Sequence, residues 1–443
     1  MTAGAPDAFE GGSEDAGAIA SAGSSGGQAP EPGTPAGVVR AMCGAHAQVM
    51  SAAELSVGLR LDGATRSTVR EALWGTRELV KTHGPRGTVH LLPAVDLPMW
   101  VGALSELPMM GPTFPEHVRM SGEQTAEVIE AIAVAVRGRE LTIDELGEAV
   151  VAATGPWAGD LVMPAFQTMW PRWRQAMAAA AHRGAFVYGP ARGRKVTYTS
   201  PPPGTPPQFA AGSGDGGVRG GAWGGGAAGD GVSGGGAAGG GAAGCGAAGL
   251  GAAGGDAAGD GAAGGGVSGD GAKELLRRYL FAYGPATPQE FAQWLGAPRS
   301  WTARLFASVV LEEVRFAGRP AWVLPGDTET SGEPPRGVRL LPYFDAYLVA
   351  GRPRELLYPG AAAERALNGG QAGNFAVLLV DGEVAGVWHQ RRSGRRVQVT
   401  VEPLRPLTAA RARELDDQVA RVGEILEARP ELTIGPVTTG AHA

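Results

Sequence analysis

A glycine-rich stretch divides this chain into two parts that must fold on either side of it. Residues 211–270 contain 29 glycines, with Gly-Ala-Ala-Gly repeated and almost no bulky apolar residues. Such a segment cannot bury enough surface to offset the entropy of ordering its backbone. Glycine does not recur at every third position, which excludes collagen, and no Gly-Lys-Ser/Thr follows a glycine cluster, which excludes that kind of phosphate-binding loop. We expect a disordered insertion over residues 204–272.

The N-terminal residues and the cysteines limit the class of protein. The start of the chain is rich in Gly, Ala, Ser and Pro and has neither a basic beginning nor an apolar segment, so residues 1–35 are predicted to be a disordered tail rather than a signal peptide. No apolar run approaches transmembrane length. Cys43 and Cys245 lie far apart, and neither a CxxC pair nor an HExxH helix is present. We therefore expect no membrane segment, disulfide, metal site or cofactor, and a cytoplasmic location.

Outside the insertion, the chain repeats one plan of helices followed by a short hairpin. The first unit has predicted helices at about Ala36–Gln48, Ser51–Arg60 and Arg66–Thr76, then strands Glu78–Thr82 and Thr88–Leu92. Helices followed by a two-stranded wing are typical of a winged helix. The same order recurs twice, so we predict an α+β protein with three tandem winged-helix units, over residues 36–105, 106–203 and 273–335.

The remainder, residues 336–443, has a different pattern. Alternating strands at Val377–Val380, Val384–His389 and Val397–Val401 indicate a β-meander. An amphipathic helix, Thr408–Glu427, is expected to close this C-terminal β-rich domain.

One short motif in the first unit places polar residues within an apolar pattern. His46 and Gln48 follow the helical spacing of their neighbours, while Ser51-Ala52-Ala53-Glu54 has the pattern of a capping box that opens a new helix. Residues two apart diverge along a helix, but a helix end near Gln48 would let the two side chains converge. The alternative is a hydrogen-bonded core histidine beside a solvated cap.

Basic residues mark a second candidate site. The whole chain has a net charge of −6, yet the segment from Arg336 to Arg405 has 10 Arg and no Lys against 6 Asp plus Glu. Four of these arginines crowd one predicted turn, and like charges packed so closely favour a polyanion partner, although an exposed polar turn is the alternative. With the basic residues of the first two wings, which can also be merely solubilising, the candidate DNA-binding residues are Arg66, Arg70, Lys81, Arg86, Arg192, Arg194, Lys195, His389, Gln390, Arg391, Arg392, Arg395 and Arg396.

Several motifs resemble the AlkZ-like family. They are His46-Ala47-Gln48-Val49-Met50-Ser51-Ala52, the segment Gly84–Pro93, Leu341-Pro342-Tyr343-Phe344-Asp345-Ala346-Tyr347-Leu348, and Val387-Trp388-His389-Gln390-Arg391-Arg392. The resemblance covers nearly all of residues 36–443 except the insertion. It implies a DNA glycosylase built from tandem winged helices, in a family where some members protect producers of DNA-alkylating antibiotics. The family's catalytic signature is Gln-x-Gln or Gln-x-Asp, so it implies catalytic roles for His46, which departs from that signature, and Gln48.

These residues suit the loss of an N7-alkylated purine. The adduct is cationic, so the base leaves neutral, and the site must stabilise an oxocarbenium-like sugar and place a water molecule. A glutamine carbonyl can orient that water, and a neutral histidine can accept its proton. No lysine adjoins the motif, which favours a monofunctional glycosylase over a Schiff-base lyase.

The sequence thus predicts a DNA repair glycosylase that hydrolyses the N-glycosidic bond of bulky or crosslinked N7-alkylpurines. One biological role that the resemblance implies is self-resistance of a cell that produces an alkylating antibiotic. We expect a nucleoid-associated monomer that binds double-stranded DNA. The alternatives are a non-enzymatic winged-helix regulator and a drug-sequestering protein. A regulator binds one DNA sequence selectively, whereas a glycosylase releases a base from alkylated DNA whatever its flanks.

Overall fold

A computed structural model describes residues 31–107, 115–165, 168–205, 269–329 and 333–440. The predicted tail and insertion lie almost entirely outside the described residues. The described chain is a mixed α+β fold, as predicted, in which helices alternate with short hairpins before a larger C-terminal sheet.

The first part of the chain contains the candidate motif. Its elements are α1 (Pro35–Ala41), β1 (Ala45–His46), α2 (Met50–Gly58), α3 (Arg66–Arg70, continued by a π-helical turn over Glu71–Gly75), β2 (Leu79–His83), β3 (Val89–Pro93) and α4 (Leu97–Ser105).

The predicted helix over Ala36–Gln48 is wrong beyond Ala41. Cys43 and Gly44 both have positive φ angles, 50° and 96°, which breaks the helical ladder. The chain then enters β1, whose two residues are both buried. Because both residues of β1 are buried, the segment does not show the alternation of apolar and polar residues that is typical of a half-buried strand.

The second part repeats helices and hairpins but departs from prediction in its middle. Its elements are α5 (Gly122–Ala135), β4 (Leu141–Thr142), α6 (Ile143–Thr154), β5 (Leu161–Ala165), β6 (Thr168–Pro171), α7 (Met177–His182), β7 (Val187–Arg192) and β8 (Lys195–Thr199). The sequence pattern predicts a single helix, Phe166–Ala181, but the described residues of this range form β6 and then α7. Pro171 cannot donate a helical hydrogen bond, so the chain forms a strand before it and begins α7 only at Met177.

The two wings of these parts join in one sheet. The strand order is β1-β3-β2-β7-β8-β4, and Lys81 of β2 lies opposite Tyr188 of β7. The sequence pattern did not predict this union. It places the first hairpin, and the strand that carries His46, at one end of a six-stranded sheet.

The third part packs against the first. Its elements are α8 (Asp270–Tyr283), α9 (Pro288–Leu295), α10 (Arg299–Ala307), β9 (Glu312–Phe316) and β10 (Arg319–Val323). The side chain of Thr287 caps α9 and Glu290 reaches back to the Thr287 amide. One apolar cluster contains Trp100 of α4 together with Leu276 and Trp294, which joins the two parts.

The C-terminal part is built on a five-stranded sheet of order β11-β12-β13-β14-β15. Its elements are β11 (Val338–Leu341), α11 (Ala346–Ala350), α12 (Arg354–Leu357), α13 (Ala361–Ala366), β12 (Ala376–Val380), β13 (Glu383–Ser393), β14 (Arg396–Pro403), α14 (Ala409–Ile425) and β15 (Arg429–Ile434). The predicted meander and closing helix are present, and α14 buries Leu415, Val419 and Val422. Strand β15, which pairs in parallel with β14, was not predicted.

Candidate active site

His46 lies in β1 opposite His90 of β3. Its side chain is only 9% exposed. The ring of Phe344 packs on it with 4.4 Å between centroids and 30° between planes, and the ring of His90 meets it edge-on at 5.1 Å. The imidazole is thus held between the first wing and the C-terminal part of the chain.

A small cavity of about 20 Å³ adjoins His46. Its walls come from distant parts of the sequence, since Arg86, Tyr283 and Phe344 line it together with His46. A cavity of this size can hold about one water molecule. Gln48 is not among the lining residues and lies half-buried in the bend between β1 and α2.

Cys43 also lines this cavity. Its side chain is 3% exposed, and burial raises the pKa of the thiol to about 12. The thiol is therefore protonated at neutral pH and makes a weakly polar, unreactive part of the wall.

Three other histidines support the first wing; His83 and His90 are buried, and His182 is half-buried. The Nδ1 atoms of His83 and His90 lie 2.9 Å from the carbonyl oxygens of Gly87 and Thr88, and Nε2 of His182 lies 3.0 Å from that of Gly84. Burial lowers the pKa of His83 and His182 to about 4 and that of His90 to about 3. All three are neutral at physiological pH and serve the wing as hydrogen-bonding groups.

Arg86 lies at the tip of the first wing and is turned inward. Its Nη1 donates to the carbonyl of Trp294 at 2.5 Å, and the guanidinium is a wall of the His46 cavity. Burial, reinforced by the nearby charge of Arg352, lowers the pKa of Arg86 to about 10. The predicted phosphate ligand thus joins the first wing to α9.

The loop between β11 and α11 brings the C-terminal part to the site. Asp345 is 1% exposed, and its two carboxylate oxygens each accept a hydrogen bond of 2.8 Å from Arg60, while Ser56 also donates to it. Its neighbour Phe344 has a φ of 55°, and Tyr343 hydroxyl lies 3.1 Å from His389 Nδ1. This loop therefore contacts α2, His46 and the base of the arginine-rich hairpin.

The arginine-rich hairpin, residues 391–396, is the turn between β13 and β14. All four of its arginines are exposed. Arg392 donates to the carbonyl of Leu426 at 3.0 Å, and Arg396 lies 3.5 Å from Glu431. Arg391 and Arg395 make no ion pair among the described residues, so their charges face solvent. At the base of the hairpin, Gln390 is half-buried, and burial lowers the pKa of His389.

The predicted basic residues of α3 and β2 lie around one buried carboxylate. Arg70 Nε lies 2.6 Å and Arg66 Nε 3.8 Å from Glu54, whose pKa burial raises. Lys81 lies over the ring of Tyr188, 5.5 Å from its centroid, and burial lowers the pKa of its amine. Glu54, expected to close a capping box, is instead the buried partner of these arginines.

The second wing carries its basic residues at the surface. Arg192 lies 2.8 Å from Glu145, and Lys195 lies 2.7 Å from Asp144. Arg194 is exposed between them. Two of these cations are paired with carboxylates on α6, and none of the three lines the His46 cavity.

Comparison with known proteins decides the family. A family model described as "DNA glycosylase AlkZ-like" matches residues 39–425. The chain belongs to the AlkZ-like DNA glycosylase family. A relative from Streptomyces sahachiroi, named interstrand DNA cross-link repair glycosylase, is 27% identical over 363 residues, which cover 79% of this chain and 81% of the relative.

A solved structure agrees with this assignment. The DNA glycosylase AlkZ of Streptomyces sahachiroi matches with a TM-score of 0.64 and 25% identity, over 91% of this chain and 94% of that one. Of the two residues of the His46-Ala47-Gln48 motif that were predicted to be catalytic, only His46 lines the cavity. An imidazole can take up a proton where an amide cannot.

Two negative findings hold for the part of the chain that the structure describes. No group of three His, Cys, Asp or Glu residues there could hold a metal ion. No helix in those ranges is both long and apolar enough to cross a bilayer.

Sequence reasoning found His46 but assigned no role to Phe344, Asp345 or Tyr283. The available signal was a single acidic residue, Asp345, inside an otherwise apolar and aromatic run from Leu341 to Leu348. A buried carboxylate in such a run needs a cationic partner, but the sequence does not say which arginine supplies it.

Proposed function

We propose that this glycosylase hydrolyses the N-glycosidic bond of bulky or crosslinked N7-alkylpurines in double-stranded DNA. The observation that carries the proposal is the water-sized cavity beside His46. A relative named for interstrand cross-link repair supports the crosslinked substrate.

The cavity defines what each group does. A cationic N7-alkylpurine leaves as a neutral base, so the reaction needs a placed water and a stabilised sugar rather than a strong acid. The imidazole of His46 accepts the proton of that water as it attacks the anomeric carbon. The carbonyl of Gln48, which does not line the cavity, faces the positive sugar, and Phe344 packs on the imidazole ring.

The size of the cavity also limits where the adduct can lie. About 20 Å³ is far less than a purine occupies, so the alkylated base remains outside the cavity while the water is inside. Such an arrangement tolerates large adducts because the base need not fit a closed pocket. Bulky and crosslinked purines are therefore suitable substrates.

The finer organisation of the fold follows the same proposal. We infer that the three helix-and-hairpin parts act as winged helices that contact the duplex, and that the arginine-rich hairpin grips the distorted DNA. The domain bounds remain those predicted from the sequence, and the protein acts as a monomer on the nucleoid in the cytoplasm.

The two alternatives gain less support. The cavity at His46 has room for about one water molecule, so a drug-sequestering protein would have to bind its drug at another site. A non-enzymatic regulator would bind DNA but gives no reason for a buried imidazole beside that cavity.

The decisive experiment measures base release. The protein is incubated with duplex DNA that carries N7-methylguanine, and separately with a bulkier or crosslinked N7 adduct, and free base is quantified. We expect release from both, in several flanking sequences. Tight binding to one undamaged sequence without base release would establish the regulator instead.

A further inference from the structure

A large groove lies between the third part of the chain and the residues that lead into and begin α12. Its volume is about 660 Å³, and its walls are α9, α10, β10 and residues 352–355. Four arginines and two glutamates line it: Arg299, Arg319, Arg352, Arg354, Glu290 and Glu355. The groove is therefore positively charged, and none of these arginines was a candidate from the sequence.

The acidic residues do not neutralise the groove. The carboxylate of Glu290 accepts hydrogen bonds from the amide and hydroxyl of Thr287, at 2.8 and 2.9 Å, in the cap of α9. Arg299 and Arg319 are exposed and make no ion pair among the described residues. Two guanidinium groups therefore face the groove with their charge available to an anion.

The other two arginines are fixed by neutral oxygens. Arg352 donates to the carbonyl of Gly351 at 3.0 Å, and Arg354 donates to those of Val349, at 2.8 Å, and Leu348. Burial, with the charge of Arg352 close by, lowers the pKa of Arg354 to about 10, so both remain cationic at neutral pH. Their charges add to the groove without a carboxylate bonded to them.

The groove and the His46 cavity draw part of their walls from the same helix, α9. Gln293 lines the groove, and the next residue, Trp294, lines the cavity. Val349 lines the cavity, and its carbonyl holds Arg354. The base of the arginine-rich hairpin is connected to the same cavity by other residues. Tyr343 contacts His389, and its neighbour Phe344 packs on His46.

We propose that this groove binds the sugar–phosphate backbone of DNA and is a second phosphate-binding surface beside His46, separate from the arginine-rich hairpin. The identity of the polyanion rests on the proposed function. Clustered guanidinium groups suit phosphate oxygens, and contacts of this kind position a strand without reading its sequence. A strand held here and at the hairpin is fixed next to the water-sized cavity.

The test is the salt dependence of binding to an undamaged duplex of mixed sequence. We expect Arg299→Ala combined with Arg319→Ala to reduce the slope of log K against log salt by about 1.8, since each lost phosphate contact removes about 0.9. Arg299→Lys with Arg319→Lys keeps the charges and should restore most of the slope. Arg413→Ala, which removes an exposed arginine from α14, should leave the slope unaltered.

The outcomes separate this inference from the proposed function. A slope equal to that of the unaltered protein in the double alanine variant, with an unchanged melting temperature, overturns the groove as a DNA surface. If that variant loses slope while the unaltered protein releases no base from N7-alkylated DNA, the groove stands and the glycosylase substrate proposal fails. If the unaltered protein releases base from N7-alkylated DNA and the double alanine variant keeps its slope, the glycosylase proposal stands and the groove proposal fails.

Discussion

Phe344 covers one face of the His46 ring, with 4.4 Å between the two centroids. The two residues are 298 positions apart in the sequence. Phe344 has a φ of 55°, a conformation that is unfavourable for a residue with a bulky side chain. The surrounding contacts must therefore hold it there, among them the hydrogen bonds that Arg60 and Ser56 donate to the buried carboxylate of its neighbour Asp345.

We expect Asp345→Asn to lower the free energy of unfolding by about 1.5–3 kcal/mol, because the buried carboxylate loses the charge-assisted hydrogen bonds that Arg60 and Ser56 donate to it. Urea denaturation measures the change. Asp381→Asn is a matched control, since Asp381 pairs with Arg411 at the surface and should cost less than about 1 kcal/mol. Equal effects in the two variants would show that the Asp345 pair does not anchor the loop.

Gln48→Ala should lower base release by roughly 10²-fold or more, because it removes contacts that are made in the transition state. Binding to an undamaged duplex should barely change. Single-turnover release of N7-methylguanine and a titration of duplex binding measure the two effects. Unchanged release with unchanged thermal stability would reduce Gln48 to a residue of the bend before α2.

His46→Gln should retain substantial base release, since it restores the amide that the family signature implies. Its pH–rate profile should also be flatter on the acidic side, because an amide does not take up a proton where an imidazole does. Rates of the two proteins across pH 5 to 8 test this. Complete loss of release in the variant would instead show that the imidazole is indispensable as the base.

The arginine-rich hairpin can be tested in two halves. Replacing all four of Arg391, Arg392, Arg395 and Arg396 with Ala should weaken duplex binding and flatten its salt dependence. Replacing only Arg391 and Arg395 should account for most of that loss, because Arg392 is bonded to the Leu426 carbonyl and Arg396 lies near Glu431. Equal slopes in the unaltered protein and the fourfold variant would remove the hairpin from the DNA interface.

Acid should destabilise the first wing through the three histidines that support it. The pKa values of His83, His90 and His182 are lowered to about 4, 3 and 4 in the folded protein, whereas an unfolded histidine titrates near about 6.5. Stability is therefore full above about pH 6.5 and falls as the pH drops toward these folded values, because only the unfolded chain takes up the protons.

The loss should approach about 1.4 kcal/mol per pH unit for each histidine over that interval. Chemical unfolding at a series of pH values between 7 and 4 measures the slope. His182→Gln keeps a donor for the Gly84 carbonyl but does not titrate, so its slope should be shallower by one histidine. If the free energy of unfolding falls equally steeply with pH in the two proteins, the pKa of His182 is not lowered in the folded state.

Elements with a local chemical signal were predicted well. The patterns Thr142-Ile143-Asp144-Glu145 and Thr287-Pro288-Gln289-Glu290 predict capping boxes, and these boxes open α6 and α9. A hydroxyl and a carboxylate three residues apart satisfy the same orphan amides wherever the helix lies. The same pattern at Ser51 failed. Helix α2 begins at Met50 without a side-chain cap, and Glu54 is drawn inward to Arg70.

Long-range pairing was not predictable. Strand β1 forms because Ala45 and His46 pair with Leu91 and His90 of β3. Strand β15 forms because it pairs with β14. Neither segment has a repeat long enough to show its period, so only its partner defines it. The same reason explains why the motif led to His46 whereas Phe344 and Tyr283 became visible only in the fold.

Burial of the Cys43 thiol protects it from the alkylating agents that would create the substrate of the proposed reaction. Alkylating agents react with thiolates, and burial with a pKa of about 12 leaves almost no thiolate beside His46 at neutral pH. The compounds that create the damage therefore find no reactive sulfur at this wall. The site can encounter alkylated DNA without becoming a target of the same chemistry.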